Sequence, residues 1–210
     1  MPLVVDRFEL GPLGTNCYVV RTERGAAEAV VIDPGGDATT LRLEIAQMGV
    51  TVAGILVTHT HYDHIGAVAD LAEASGAPVY ISELEADVLF RPAEYYPGHQ
   101  IRSWDAEIRL AGDETIDLGG ISFETVQVPG HSPGHLAFYA DLCLFSGDVL
   151  FAGSVGRTDL PMASWETLVE SIRALVDRFP SETVVYSGHG PLTTLGAELA
   201  RNPFLAELRA

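Results

Sequence analysis

The segment Thr58-His59-Thr60-His61-Tyr62-Asp63-His64 packs three of the chain's seven histidines and a carboxylate into seven consecutive residues, directly after the apolar run 54–57. Neutral imidazole suits zinc and similar borderline cations, and an aspartate oxygen adds a harder donor. In an extended turn His59 and His61 point to the same side, and the first turn of a following helix sets Asp63 and His64 beside them. Such a cluster can grip a metal ion without a long loop.

One turn cannot complete two coordination shells, and the ends of later strands offer further donors. His131 follows Val126-Gln127-Val128-Pro129-Gly130, Asp148 follows Leu144-Phe145-Ser146-Gly147, and His189 follows Val184-Val185-Tyr186-Ser187-Gly188. In each case a glycine after an apolar strand lets the backbone turn sharply and leaves room for an ion or substrate. His135, in Gly130-His131-Ser132-Pro133-Gly134-His135, reads as a hydrogen-bonded neighbour of the site. His99 reads as solvated or on a pocket rim, and Tyr95 and Tyr96 as packing residues.

The elements that must position these residues are legible as short Val- and Ile-rich runs punctuated by Gly and Pro. Strands are expected at 17–20, 29–32, 54–57, 79–81, 121–128, 136–139, 142–145 and 183–186. Helical spacing predicts a helix over 39–48, stopped by Gly49, and another over 65–74. Ser82-Glu83-Leu84-Glu85 has a capping-box pattern that predicts a helix from 82 to 90. Residues 91–104 have no period and read as an irregular loop bordering a site. Trp165, Leu168, Val169, Ile172, Leu175, Val176 and Phe179 form one apolar stripe behind the cap Ser164, and a last helix is expected over 193–201.

The composition of the 210 residues is that of a globular protein, with 47% hydrophobic residues. A formal charge of −17 disfavours nucleic acid, which is bound through clustered Lys and Arg. The N-terminus lacks the basic-then-apolar pattern of a leader, and no apolar run reaches membrane-spanning length, so the expectation is a cytoplasmic protein without a membrane partner. Cys17 and Cys143 sit in apolar strand-like segments and are expected as buried free thiols. The sequence leaves the oligomeric state open.

The ligand spacing resembles that of the metallo-beta-lactamase superfamily, whose His-x-His-x-Asp-His motif and later His, Asp and His ligands match His59, His61, Asp63, His64, His131, Asp148 and His189. The likeness covers nearly the whole chain. It implies an α/β fold, a four-layer αββα sandwich of two mixed sheets flanked by helices, as a single domain over residues 1–210. It also implies two divalent metal ions, Zn2+ first and Fe or Mn as alternatives. One ion would take His59, His61 and His131, the other Asp63, His64 and His189, and Asp148 would bridge them. Asp33, in Ile32-Asp33-Pro34-Gly35-Gly36, resembles a family aspartate that orients a ligand histidine, although an Asx turn before Pro34 is the simpler use of that pair.

Within the superfamily, the nearest likeness is to the short, single-domain glyoxalase II-like branch, which lacks the helical C-terminal domain of the long enzymes. Residues 151–159 are similar to the segment in which a basic residue receives a glutathione carboxylate. Arg157 is the matching cation, and its fork suits a carboxylate. Asp159 stands where that family has an aromatic residue, and Arg157 could instead pair with it. An aspartate rather than a cysteine at 148 separates the chain from the true beta-lactamases, which argues against antibiotic cleavage.

The reaction implied is hydrolysis of a small thioester, such as a 2-hydroxyacyl thiol, by a hydroxide shared between the two ions. Asp148 and Asp63 are then the catalytic carboxylates, Asp63 accepting a proton from the water. The rivals are a persulfide dioxygenase with a single iron, which shares the run Gly156-Arg157-Thr158-Asp159, and a lactonase.

Overall fold

Alternation of apolar residues along each strand decides how the chain layers. The computed structural model of the protein describes residues 2–209. The expected domain, residues 1–210, takes in Met1 and Ala210, which lie outside the described residues.

The first half builds a six-stranded sheet in the order β1 (Val4–Leu10), β2 (Thr15–Arg21), β3 (Glu28–Ile32), β4 (Thr51–Leu56), β5 (Val79–Ser82) and β6 (Ile108–Leu110). The first three strands pair antiparallel and β3 to β6 pair parallel. Parallel neighbours need crossovers. These carry α1 (Ala38–Met48), then α2 (Tyr62–Ile65) and α3 (Val68–Ser75), then α4 (Ala86–Phe90) and α5 (Pro92–Tyr95).

The second half adds β7 (Thr115–Leu118), β8 (Ile121–Gln127), β9 (Leu136–Ala140) and β10 (Cys143–Gly147). A two-stranded hairpin of β11 (Leu150–Phe151) and β12 (Ser154–Val155) follows, then α6 (Trp165–Arg178), β13 (Val184–Ser187), β14 (Thr193–Thr194) and α7 (Leu195–Arg201). The second sheet runs β14-β13-β10-β9-β8-β7, and only β10 and β13 pair parallel, across α6.

Successive side chains of a strand face opposite ways. In β3, Val30 and Ile32 enter a core shared with Phe123, Phe138 and Phe145 of the second sheet, while Val31 packs with Leu41 of α1 and Leu71 of α3. In β10, Cys143 and Phe145 face that same inter-sheet core, and Leu144 packs with Leu168, Ile172 and Leu175 of α6. Both central strands are apolar on both faces because both faces are covered. The layers are therefore helix, sheet, sheet, helix, the four-layer arrangement that the resemblance implies. Both cysteines are buried and free. Among the described residues no helix is long and apolar enough to cross a membrane.

Most of the expected elements form, and the exceptions have local causes. The helix expected over 65–74 is broken into α2 and α3, because the Ala67 amide donates to the Pro34 carbonyl (2.9 Å) instead of to its own helix. The helix expected over 193–201 starts at Leu195, since Thr193 and Thr194 first pair with β13 and Thr194 then accepts from the Ala197 amide as its cap. The helix expected over 82–90 is reduced to α4: Ser82 ends β5, and Glu85, the supposed partner in a capping box, has its carboxylate in tertiary bonds. Ser164 caps α6 as expected, accepting from the Thr167 amide at 3.2 Å. The loop 91–104 contains the short α5.

Candidate metal centre

The first sheet supplies its donors just beyond β4. The chain leaves Leu56 extended, and Thr58 is fixed by Asp33 at the end of the neighbouring β3: the Thr58 amide donates to Asp33 Oδ1 (2.8 Å) and its hydroxyl to Asp33 Oδ2 (2.7 Å). Asp33 itself has a φ of 50°, a left-handed conformation that aspartate tolerates better than most residues. His61 is the extended N-cap of α2, which places Asp63 and His64 in the helix's first turn. The expected turn after a strand is thus present, with its donors on one side.

The second sheet delivers His131, Asp148 and His189 after β8, β10 and β13, each through a glycine. All three glycines are required by the geometry, and at Gly130, with a φ of 131°, a Cβ would lie 2.3 Å from the Leu168 amide nitrogen. Gly147 has a φ of 49°, and a Cβ there would lie 2.4 Å from Thr58 Oγ1. At Gly188 a Cβ would sit 2.1 Å from Asp148 Oδ1 and 2.6 Å from His64 Cε1, inside the space where the donors meet.

All seven residues named from the sequence converge. The donor atoms of His59, His61 and His131 lie within 4.8 Å of one another, and so do those of Asp63, His64 and His189. His59, His64 and Asp148 form a third such set. The Asp148 carboxylate lies between the first two: Oδ2 is 3.5 Å from His131 Nε2 and 3.5 Å from His189 Nε2, and Oδ1 is 3.3 Å from His64 Nε2. Asp63 Oδ2 is 3.2 Å from His189 Nε2 and accepts from Thr15 Oγ1 at 2.7 Å. His64 Nε2, His131 Nε2 and Asp148 Oδ1 are buried without a hydrogen-bond partner. Buried polar atoms rarely stay unpaired. Three such atoms aimed at one spot, with imidazole and carboxylate donors around them, fit divalent cations.

Contacts behind the donors fix which ring nitrogen faces the centre. His131 Nδ1 donates to the Arg157 carbonyl (2.8 Å) and His64 Nδ1 donates to Asp33 Oδ2 (2.9 Å), so each presents Nε2. His59 Nδ1 is 3.1 Å from Thr58 Oγ1, whose own proton goes to Asp33, so the ring donates there and also presents Nε2. Such outer partners orient a ligand ring and raise its basicity. His135 has no nitrogen left for a cation: Nδ1 donates to the Leu136 carbonyl (3.1 Å) and Nε2 accepts from the Asp148 amide (3.1 Å). It stacks on His59 with ring centroids 4.5 Å apart, which makes it the neighbour expected from the sequence.

The electrostatics divide the cluster in two. Burial, with the neighbouring imidazoles, pushes His59 well below the usual histidine range and His61 down to about 4, and burial also lowers His131. These three are neutral, the form that binds metal. On the other side burial opposes ionisation of Asp63 and Asp148, but His189 and His64 outweigh it, holding Asp63 at about 2 and Asp148 well below the carboxylate range. In return, contacts with Asp148 and Asp63 raise His189 to about 9, and Asp148 and Asp33 overcome burial to raise His64.

A pocket of roughly 620 Å³ opens over His61, Asp63, His131, Asp148 and His189. Leu13, Phe151, Leu160 and Met162 form much of its apolar wall. Tyr95 and Tyr96 also line it; Tyr96 packs edge-on against Tyr62 with centroids 6.0 Å apart, as expected, whereas Tyr95 is exposed and its hydroxyl donates to Asp87 at 2.7 Å. His99 packs against Tyr62 with ring centroids 4.1 Å apart and the planes tilted by 37°. Arg157 reaches the pocket, but its fork is taken by Asp159, with both N–H···O distances 2.7 Å. Glu85, which sequence reasoning assigned to a helix cap, is a buried member of the pocket wall bonded to the loops of both sheets.

A sandwich of two mixed sheets with a His/Asp cluster at one edge defines the metallo-beta-lactamase class. The chain belongs to the metallo-beta-lactamase superfamily, whose family profile matches residues 10–189. Among curated relatives it is 35% identical to the hydroxyacylglutathione hydrolase GloC of Haemophilus influenzae, covering 90% of this chain and 92% of that one. Among solved structures it resembles the BLEG-1 B3 metallo-beta-lactamase, at 38% identity and a TM-score of 0.90 over 97% of this chain and 100% of the other. It also resembles TTHA1623 in a di-iron-bound form, at 41% identity and a TM-score of 0.76 over 96% and 100%.

Proposed function

We propose that this metallo-hydrolase cleaves a small thioester, with a 2-hydroxyacyl thiol as the substrate class, at a centre of two divalent cations. The observation that carries this reading is the Asp148 carboxylate reaching both donor groups at the floor of the pocket. The relationship to a hydroxyacylglutathione hydrolase supports the choice of substrate. His59, His61 and His131 would hold one ion, Asp63, His64 and His189 the other, and Asp148 both. Zinc suits the imidazoles, and a di-iron-bound relative supports iron as the alternative.

When bound, the two ions supply Lewis acidity that polarises a carbonyl and makes water nucleophilic near neutral pH. The protein's own groups do the rest. Asp63, held by the Thr15 hydroxyl, would accept the proton that the water loses and pass it to the departing thiolate. Asp33 and the Arg157 carbonyl keep His64 and His131 in the tautomers that present Nε2. The apolar wall of Leu13, Phe151 and Leu160 shields the acyl group from bulk water.

The test is to strip the protein of metal, restore it with Zn2+, Fe2+ or Mn2+, count the ions and assay thioester cleavage. Two ions per chain and turnover of a 2-hydroxyacyl thioester are expected, with Asp148→Ala at least about 100-fold lower in kcat/KM. One iron per chain with persulfide-dependent oxygen uptake would refute the hydrolase reading. The likeness to a B3 metallo-beta-lactamase supports a second reading, cleavage of a β-lactam amide by the same water. A β-lactam and a lactone therefore belong in the same assay, and preference for either over the thioester would displace the first reading.

A further inference from the structure

Glu85 belongs to neither donor group, yet it is 4% exposed and its carboxylate is fully engaged. Oε2 accepts from the Thr60 amide (3.2 Å) and the Thr60 hydroxyl, and Oε1 accepts from the Ser132 hydroxyl (2.6 Å) and the Gly134 amide (3.0 Å). A carboxylate offers about four acceptor positions. With all of them used, Glu85 has none with which to act as a base toward substrate.

What those bonds join is specific. Thr60 lies between His59 and His61 in the turn after β4, and Ser132 follows His131 in the loop after β8. One side chain therefore ties together the two loops, from opposite sheets, that carry the whole His59, His61 and His131 group. The Gly134 backbone is drawn close enough that a Cβ there would meet Glu85 Cγ at 2.7 Å. The other group has anchors that Glu85 does not share: Thr15 holds Asp63, and Asp33 holds His64 while also reaching His59 through Thr58.

We propose that Glu85 is a positioning residue for one half of the centre, a clamp that sets the spacing of His59, His61 and His131 and leaves the Asp63, His64 and His189 half to its own supports. The inference rests on the two-cation reading of the site. None of the four bonds of Glu85 reaches Asp63, His64 or His189, so its removal should weaken the first half more than the second.

The experiment is a calorimetric zinc titration of the metal-stripped protein, with ions counted by native mass spectrometry, comparing wild type with Glu85→Gln and Glu85→Ala. Gln keeps the size of the side chain but turns an NH2 toward one pair of donors, so it decides the matter where the Ala variant does not fold. One of the two zinc affinities should fall roughly 10- to 100-fold while the other holds. Equal weakening of both, or of neither, overturns the proposal. Hydrogen exchange on the stripped protein gives a metal-independent readout: the Thr60 and Gly134 amides should lose protection in Glu85→Gln, and the Thr58 amide, held by Asp33, should not. Unchanged protection at Thr60 and Gly134 would also overturn it. Wild-type protein that takes up fewer than two zinc ions would sink the two-cation reading instead, and exchange would still decide on the clamp.

Discussion

Arg157 contributes to the centre through its backbone, because its carbonyl accepts from His131 Nδ1 and fixes that ring. Its guanidinium is exposed and paired with Asp159 two residues away. Exposed pairs add little to folding, but the carboxylate remains beside the cation whatever the strength of the pair, so an anionic substrate group approaching this edge of the pocket meets a neutralised charge. Asp159→Asn should leave the melting temperature unchanged and lower KM several-fold for a glutathione thioester, with little effect on the same acyl group carried by an uncharged thiol. Steady-state kinetics on the two thioesters checks this. A ratio identical to wild type would show that the Arg157 side chain does not contact the carrier.

At the scale of elements, the centre is made by strand ends. β4, β8, β10 and β13 stop at the same edge of the sandwich, and Gly130, Gly147 and Gly188, at or just past the ends of the last three, allow the next residues to crowd together. Gly188→Ala is the sharpest test of that crowding, since the new methyl group would overlap Asp148 Oδ1 and His64 Cε1. Circular dichroism should be unchanged, and metal affinity and kcat/KM should fall by roughly 10-fold or more. Retained affinity would mean that Asp148 can yield without loss. Placement just past strand ends is why the donors were legible in the sequence: His131, Asp148 and His189 each stand three residues past an apolar run and directly after a glycine, and the other four lie within seven residues of the run 54–57. The period-2 and helical stripes that give the layers are likewise local. Glu85 was not legible, because its partners stand 25 to 49 residues away and its spacing from Ser82 imitates a capping box. β1 was missed for a different reason: as an edge strand carrying Asp6, Arg7 and Glu9 it lacks an apolar run, as edge strands often do. The pairing of Arg157 depends on rotamers that spacing does not determine.

At the scale of the molecule, the donors come from both sheets, so bound cations would join the two halves of the sandwich, whereas the three apolar clusters do not depend on them. The stripped protein should therefore stay folded and melt at a lower temperature, with the difference growing with free metal concentration as linkage requires. Its pH dependence follows from the protons that replace the metal. His189 is raised from 6.5 to about 9 by Asp148 and Asp63, so in the stripped protein it contributes stability that is complete below about pH 6.5 and is lost as pH rises through about 9; His64 moves in the same direction. Asp63, lowered from 3.8 to about 2, contributes stability that is present above about pH 3.8 and lost only as pH falls through about 2. Thermal melts of the stripped protein should accordingly show a falling melting temperature between pH 6.5 and 9, and His189→Asn should flatten that slope. Metal binding should run the opposite way, because a cation must displace the His189 proton, so affinity tightens over the same interval and uptake releases protons. A stripped protein that grows more stable from pH 6.5 to 9 would show that His189 is not held by the two carboxylates as the geometry requires.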